Sequence, residues 1–158
     1  MKKHITINKK PDKKKDTENI NNDMLKELNN VSTVNKMFLN EEFENKNIIK
    51  SNVMKKRSSY RTQDVNKDRL KDDFITYEEI IEKLVISKLK CSYCKDNVLI
   101  LYENKRDYKQ WTLDRIDNSI GHSNVNTVIS CLKCNLQKRK RDDDKFRFTK
   151  QMNLIKIY

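Results

Sequence analysis

Four cysteines in two Cys-x-x-Cys pairs constrain this chain more than any other feature. They are the only cysteines among its 158 residues, at positions Cys91, Cys94, Cys131 and Cys134. Each pair can fold as a knuckle that places two thiolates on one side of a tight turn. Two knuckles together supply the four soft ligands of a closed tetrahedral zinc site. The pattern therefore predicts a structural Zn²⁺, in preference to small buried thiols or a redox pair.

The spacing of the two pairs shows that more than a simple zinc ribbon is present. The pairs are separated by 36 residues, against about 15–20 in such a ribbon. We therefore expect an inserted segment between the knuckles. A domain this small has a core worth only a few kcal/mol, so a metal staple is needed to stabilise it.

The charge of the chain indicates its class of partner. The formal net charge is +12, and both residues 1–72 and residues 73–158 have more Lys and Arg than Asp and Glu. Such an excess favours a polyanion, either nucleic acid or an anionic membrane surface. No apolar run reaches the length of a membrane span, and the first residues do not resemble a signal peptide. We expect an intracellular protein, of cytoplasm or nucleus, with DNA as partner and RNA as the alternative.

Residues 1–72 are predicted to be a largely disordered basic tail. Lys, Asn, Asp and Glu dominate this segment, and apolar residues are sparse. Two apolar groups, within 24–28 and 34–38, have helical spacing and predict transient helices only. A role of this tail in binding a partner, with the rest of the chain as scaffold, is one functional hypothesis.

Residues 73–158 are predicted to form one small α+β domain. Thr76 and Glu79 have the spacing of a capping box, which predicts a helix from 76 to about 90. Segments 98–102 and 111–116 are expected to be strands, with Trp111 in the core. A basic helix should begin at the second knuckle and continue past Arg141, and apolar residues between 146 and 155 should pack back on the core.

The segment between and beyond the knuckles contains a more specific pattern. Its elements are Leu113-Asp114-Arg115-Ile116-Asp117, then Gly121-His122, then Asn126 five residues before a cysteine, then Cys134-Asn135. Across residues 91–145 this pattern resembles the HNH endonuclease family, which has the ββα-metal fold, in an Asp-Arg-Ile-Asp variant typical of phage and viral sequences.

The resemblance implies a second, catalytic metal. Asp114 corresponds to the family's carboxylate ligand, and Asn135 takes the place of its second ligand. One Mg²⁺ or Mn²⁺ between them would bridge the scissile phosphate. Asn126 corresponds to the residue that ties the loop and orients the general base. The alternatives are a surface or capping role for Asp114 and a turn-capping role for Asn126.

Position 115 departs from the family, whose general base is a His. Arg115 keeps its proton at ordinary pH and cannot accept one from water. Three alternatives follow. Arg115 binds the phosphate while another group activates water, with His122 the first candidate; or the metal activates its own water; or catalysis is lost.

Four adjacent cations follow Asn135. Lys138, Arg139, Lys140 and Arg141 cover every face of a helical turn, so some should contact phosphate, with a solvated surface as the alternative. Asp142, Asp143 and Asp144 are interpreted as a solvated stretch. The resemblance thus implies a metal-dependent DNA endonuclease, and the alternative is a zinc-stapled nucleic-acid-binding module that has lost the chemistry.

Overall fold

The computed structural model describes residues 21–152, and they combine helices with one small sheet. The elements in chain order are α1 (Asn22–Leu28), α2 (Val31–Phe38), α3 (Lys46–Asn66), α4 (Tyr77–Ile86), β1 (Trp111–Arg115), β2 (Thr127–Cys131), α5 (Leu132–Lys138) and α6 (Asp143–Gln151). A mixed helix and sheet class was expected. The predicted packing of residues 153–155 lies outside the described residues, as does the predicted disorder of residues 1–20.

The prediction of disorder is wrong for residues 22–66, which form α1, α2 and α3. Leu28, Val34, Ile49 and Val53 from these helices are almost completely buried. They belong to the same core cluster as residues of the cysteine-containing half, and α2 and α3 both pack against α4. The boundary predicted near residue 73 therefore does not separate a tail from a domain. The few apolar residues were enough because they pack against a second apolar surface, and the free energy of this burial offsets the entropic cost of ordering the helices.

Helix α4 begins where the sequence predicted. The Thr76 backbone N–H donates to Glu79 Oε2 at 2.8 Å, and the Glu79 N–H donates to Thr76 Oγ1 at 3.2 Å, which completes the capping box. The helix ends at Ile86 rather than near residue 90. Lys88 and Leu89 have φ angles of 51° and 54°, so the chain turns sharply here and enters the first cysteine pair.

Strands β1 and β2 form one antiparallel pair, in which Trp111 lies opposite Cys131 and Arg115 opposite Thr127. The strand predicted at 98–102 is not formed, and only an isolated bridge joins Leu99 to Gln110. The backbone here is satisfied differently. The N–H groups of Ile100 and Leu101 donate to Asn29 Oδ1, and Asn29 Nδ2 donates to the Leu101 carbonyl. Side chains of this segment are buried as in a strand, but a side chain replaces the partner strand.

Helix α3 lies beside β1 and fixes its free edge. The Leu113 N–H donates to the Tyr60 hydroxyl at 3.0 Å, and Lys56 Nζ donates to the Trp111 carbonyl. Gly121 lies close to the chain that follows α3, because a Cβ at this position would be 2.4 Å from the Arg69 carbonyl oxygen. Helix α3 and the connection 117–126 are thereby held together. None of the described helices is long and apolar enough to cross a membrane.

Candidate functional site

The four cysteine side chains meet in one cluster. The sulfur atoms of Cys91, Cys94, Cys131 and Cys134 all lie within 4.8 Å of one another, and three of the four residues are buried. The first pair follows the turn after α4. The second pair spans the end of β2 and the first turn of α5, where Cys131 Sγ accepts from the Cys134 N–H at 3.4 Å. This arrangement could hold one metal ion.

The acidity of these thiols indicates why a cation suits the cluster. A hydrogen bond from Cys131 and several backbone N–H groups lower the pKa of Cys91 to about 4. Burial, with the nearby Cys91 charge, raises the pKa of Cys94 to about 12 and also raises that of Cys134. One thiolate therefore suppresses the others, and a bound metal ion is the charge that would keep all four ionised.

A second feature is a cavity of about 400 Å³ beside β1. Its walls come from α3, β1, α5 and the connection 117–126. Four residues that the sequence predicted to be catalytic line it together, namely Asp114, Arg115, His122 and Asn135. Their convergence was not assured by spacing, since they belong to a strand, a connection and a helix.

His122 is held by an acidic partner from α3. Its Nδ1 lies 2.8 Å from Asp64 Oδ1, and its backbone N–H donates to Asp64 Oδ2 at 2.7 Å. Because the carboxylate only accepts, Nδ1 carries the proton and Nε2 carries the lone pair. No residue between 21 and 152 forms a hydrogen bond to Nε2. The imidazole is thus oriented with its basic nitrogen available.

The surroundings of His122 keep it neutral near pH 7. Burial lowers the pKa of His122, and the Arg115 charge adds to this effect, while Asp64 opposes it. The Tyr60 ring lies against the imidazole, with centroids 4.7 Å apart. A neutral, oriented imidazole beside a cavity is chemically able to accept a proton from water.

Comparison with protein-family models, with curated proteins and with solved structures finds no match to this chain.

Arg115 lies next to this pair. Its Nη1 is 3.8 Å from Asp64 Oδ1 and donates to the Ile120 carbonyl at 3.3 Å. Burial and the nearby Arg69 charge lower its pKa, but a guanidinium remains a donor only. Arg115 can therefore stabilise an anion at the edge of the cavity and cannot serve as a base.

Asn126 does not line the cavity but ties the connection that contains His122. Its Nδ2 donates to the carbonyls of Asp117 and Gly121, each at 2.9 Å. Its Oδ1 accepts from the Asp117 N–H at 2.8 Å. Both interpretations of Asn126, as a turn cap and as the residue that orients the base, are compatible with this geometry. A residue that caps this turn also positions the neighbouring imidazole.

Asp114 belongs to a buried network of charges. Its Oδ2 lies 2.6 Å from the Tyr93 hydroxyl and 3.2 Å from Lys138 Nζ. The same hydroxyl lies 2.7 Å from Asp143 Oδ1, which is 3.6 Å from Lys138 Nζ. Burial raises the pKa of Asp114, against the effects of Tyr93 and Lys138. The other carboxylate oxygen of Asp114, Oδ1, accepts no hydrogen bond from residues 21–152. It is therefore the oxygen left for a ligand.

Asn135 faces the cavity from α5, one turn above the start of the helix. Its Nδ2 donates to Thr112 Oγ1 at 3.1 Å. Thr112 is itself held by Ser130 across the sheet, with hydroxyl oxygens 2.8 Å apart. The amide orientation is thereby set, and the side-chain oxygen of Asn135, Oδ1, accepts no hydrogen bond from the described residues.

The prediction of a continuous basic helix is wrong. Helix α5 ends at Lys138, and Arg139 has a φ of 51°. Lys138 is completely buried, so it cannot contact phosphate, whereas Arg139, Lys140 and Arg141 are exposed. The physical reason is the pair of buried carboxylates, Asp114 and Asp143, which supply the opposite charge that a buried ammonium requires.

The acidic run after these cations is likewise not all solvated. Asp143 is 8% exposed and pairs with Arg147 Nη2 at 2.9 Å as well as with Lys138. Asp142 caps α6 by accepting from the Lys145 N–H. Burial opposes ionisation of Asp143, but hydrogen bonds from Tyr93 and Arg147 outweigh it and lower its pKa. This aspartate helps to hold α6 on the core.

Replacing Lys138 by Met is expected to destabilise the fold by about 3–5 kcal/mol, because two carboxylates lose the cation that compensates their burial. Chemical denaturation measures the change in unfolding free energy. Lys140→Met is the matched control, since Lys140 is exposed, and should change stability by no more than about 0.5 kcal/mol. Equal stability of the two variants would show that the buried network contributes nothing.

Sequence reasoning missed three residues that shape the site, Asp64, Tyr93 and Lys56. Asp64 lies one helical turn after Tyr60, and both face β1, so an i, i+4 pair on a helix was the available signal. Lys56 Nζ donates to Gln110 Oε1 at 3.0 Å and to the Trp111 carbonyl. Burial lowers the pKa of Lys56 to about 7. For Tyr93, inside the first cysteine pair, no signal was visible.

Proposed function

We propose that the cavity hydrolyses phosphodiester bonds in DNA with the help of a divalent cation. The observation that carries the proposal is the convergence of His122, oriented by Asp64, with Asp114 and Asn135 on one cavity. The chain order of β1, β2 and α5, with α5 packed on both strands, agrees with the ββα-metal fold implied by the HNH resemblance and supports the same reading.

The donor set of the cavity fits a hard cation. Asp114 offers Oδ1 and Asn135 offers its amide oxygen, and one carboxylate with few protein ligands is typical of Mg²⁺ and Mn²⁺ sites that keep several waters. The bound cation would stabilise charge on the phosphate and on the leaving oxygen. The Lys138 ammonium on Oδ2 holds the carboxylate in position.

The remaining residues have roles that follow from their placement. His122 Nε2 accepts the proton of the attacking water, and Asp64 stabilises the imidazolium that results. Arg115 and Lys105 line the cavity and provide positive charge for the substrate phosphates. Among the three alternatives at position 115, the geometry favours Arg115 as a phosphate contact and His122 as the base.

The cysteine cluster is proposed to hold a structural Zn²⁺. Four thiolates and no open position match a closed site rather than a catalytic one. The cluster joins the end of α4 to the β2–α5 junction, which carries Asn135 one residue after Cys134. The zinc thus stabilises the elements on which the cavity is built.

The second candidate function is a nucleic-acid-binding module without catalysis. The observation that favours it is Asp114, whose Oδ2 already contacts an ammonium at 3.2 Å, together with Arg115 at the position where the family has its base. In that case the cavity would bind phosphate and would not cleave.

A plasmid-nicking assay with Mg²⁺ separates the two candidates. Asp114→Asn should reduce the rate at least about a hundredfold, or roughly 2.7 kcal/mol, because the cation loses its only anionic ligand in the cavity. DNA binding should survive, since exposed cations remain. Asp144→Asn, which removes an exposed carboxylate of α6, is the control and should nick at the normal rate.

The outcomes of this assay are distinct. Arg115→His removes the proposed phosphate contact and should lower the rate. A maintained or raised rate would show instead that an imidazole at this position acts as the base, as in the HNH family. If the unsubstituted chain and Asp114→Asn nick the plasmid at equal rates, the catalytic site lies elsewhere. If neither the unsubstituted chain nor Arg115→His cleaves with Mg²⁺ or Mn²⁺, the binding module becomes the better description.

A further inference from the structure

A second concave surface, which we call the basic groove, adjoins α5 on a different face. Its volume is about 1140 Å³. It shares no lining residue with the cavity, since α5 gives Leu132 and Asn135 to the cavity but Lys133, Leu136 and Gln137 to the groove. Helix α6 and the segments around residues 96 and 108 form its other walls.

The groove is strongly and one-sidedly charged. Against the single acid Asp96, its lining includes the five cations Lys109, Lys133, Arg139, Arg141 and Lys150. None of these five forms an ion pair with a carboxylate in the part of the chain that the structure describes. Surface cations of a folded protein commonly have nearby acids, so a group of cations without them is suited to an anionic partner.

Two exposed apolar side chains lie among these cations. Tyr108 is 62% exposed and Leu136 is 53% exposed. The backbone that carries Tyr108 is fixed, because the first N–H groups of α5 donate to this segment. The Lys133 N–H donates to the Tyr108 carbonyl at 3.1 Å, and the Leu132 N–H donates to the Gln110 carbonyl at 3.0 Å. The aromatic ring is thus presented beside α5 from a rigid base.

We propose that the basic groove binds a single strand of nucleic acid, with its phosphates on these five cations and an unpaired base stacked on Tyr108. An aromatic face flanked by cations is the arrangement that recognises unpaired strands, whereas a paired base offers no free face for stacking. The inference rests on nucleic acid as the substrate class of the proposed function. It adds that an unpaired segment is held on a face of α5 different from the one that lines the cavity, so that the favoured substrate contains such a segment.

Binding is tested with the full zinc-loaded chain and a fluorescein-labelled oligothymidylate of about 12 nucleotides. Magnesium is omitted, so no cleavage occurs. Tyr108→Ala should weaken binding of the single strand about tenfold, as expected for loss of one stacked base. Tyr108→Phe keeps the aromatic face and should bind normally. A duplex of equal length should lose less than about twofold in Tyr108→Ala, since it has no base to stack.

The charge contribution is tested by the salt dependence of the same titration. Lys109→Ala combined with Lys133→Ala should reduce the slope of log affinity against log salt by about 1.4, or about 0.7 for each lost phosphate contact on a single strand. Both residues are exposed, and neither side chain holds the fold through a hydrogen bond within residues 21–152. Lys26→Ala combined with Lys67→Ala removes two exposed lysines outside both concave surfaces and should leave the slope unchanged.

The groove proposal is overturned if the single strand binds Tyr108→Ala normally, or if duplex and single strand lose affinity equally. Competition by polyglutamate as effective as that by the oligonucleotide at equal charge would also overturn it. The cleavage assay is separate. If the unsubstituted chain nicks DNA but the groove substitutions do not change binding, only the groove proposal is rejected. If the groove variants lose binding and the unsubstituted chain does not nick DNA, the groove proposal is retained and the nuclease proposal is rejected.

Discussion

Removal of the proposed Zn²⁺ from the four-cysteine cluster is expected to unfold the domain around it. Binding of a structural Zn²⁺ by thiolates contributes about 10–16 kcal/mol at pH 7, which is as large as the whole stability of a typical small domain. Cys91→Ser removes one ligand and should abolish most of the cooperative thermal transition, followed by circular dichroism. Elemental analysis should find about one zinc per chain in protein purified without added metal.

A neighbouring substitution provides the control for this experiment. Ser92→Ala changes the same knuckle but leaves all four thiolates, and Arg147 Nη1 keeps its hydrogen bond to the Ser92 carbonyl at 2.9 Å. The variant should bind zinc and melt close to the unsubstituted chain. A folded chain free of metal would refute the zinc site, and so would a Cys91→Ser variant with an unchanged transition.

Loss of the His122 imidazole is expected to be the most damaging single change for cleavage. His122→Ala should reduce nicking by about 10²–10⁴-fold, the usual contribution of a general base. Its imidazole lies beside the cavity at 3% exposure, so DNA affinity should be nearly unaffected. Nicking by His122→Ala at the normal rate would remove this residue from the mechanism and favour activation of water by the metal alone.

Asp64→Asn tests how the imidazole is positioned. The Asn amide N–H₂ can donate to Nδ1, which places the proton on Nε2, the nitrogen that must accept one from water. The rate should fall by about a thousandfold, or roughly 4 kcal/mol. Asp68→Asn is the matched control, because Asp68 is exposed just beyond α3 and its φ of 53° suits Asn.

The pH dependence of nicking separates a positioning role of Asp64 from a structural one. The base must be neutral, so activity falls as the pH drops through the pKa of His122. Because the Asp64 carboxylate raises that pKa against the effect of burial, Asp64→Asn should shift the acid limb to lower pH in addition to reducing the maximum. A lower maximum with an unmoved acid limb would mean that Asp64 only supports the fold.

The charged residues of the site show why neighbouring positions have different roles. The sequence treated Lys138, Arg139, Lys140 and Arg141 as equivalent, but α5 ends within the run and only the first of them faces inward. The exposed members divide further, because Arg139 and Arg141 line the basic groove. Phosphate contact by Arg139, Lys140 and Arg141 stays a prediction, and Lys138 is excluded from it.

The sequence by itself determined the features that depend on short separations. The cysteine pairs, the Thr76–Glu79 capping box and the loop tied by Asn126 each involve residues within a few positions, so their patterns are visible without the fold. The sequence also selected Asp114, His122 and Asn135. Their shared cavity was expected from the resemblance, but it is the packing of α5 on β1 and β2 that brings these residues together.

Only the tertiary structure decided what depends on distant partners. Asp64 reaches His122 across 58 positions, and Asn29 replaces a strand partner for Leu101 across 72. Helices α1 to α3 are ordered because their few apolar residues pack against α4 and the core. A local sequence pattern does not predict such packing between distant segments. The burial of Lys138 likewise depends on the carboxylates of Asp114 and Asp143. A charged side chain is stable in a protein interior only where the fold places a counterion beside it. That placement depends on how distant segments of the chain pack together.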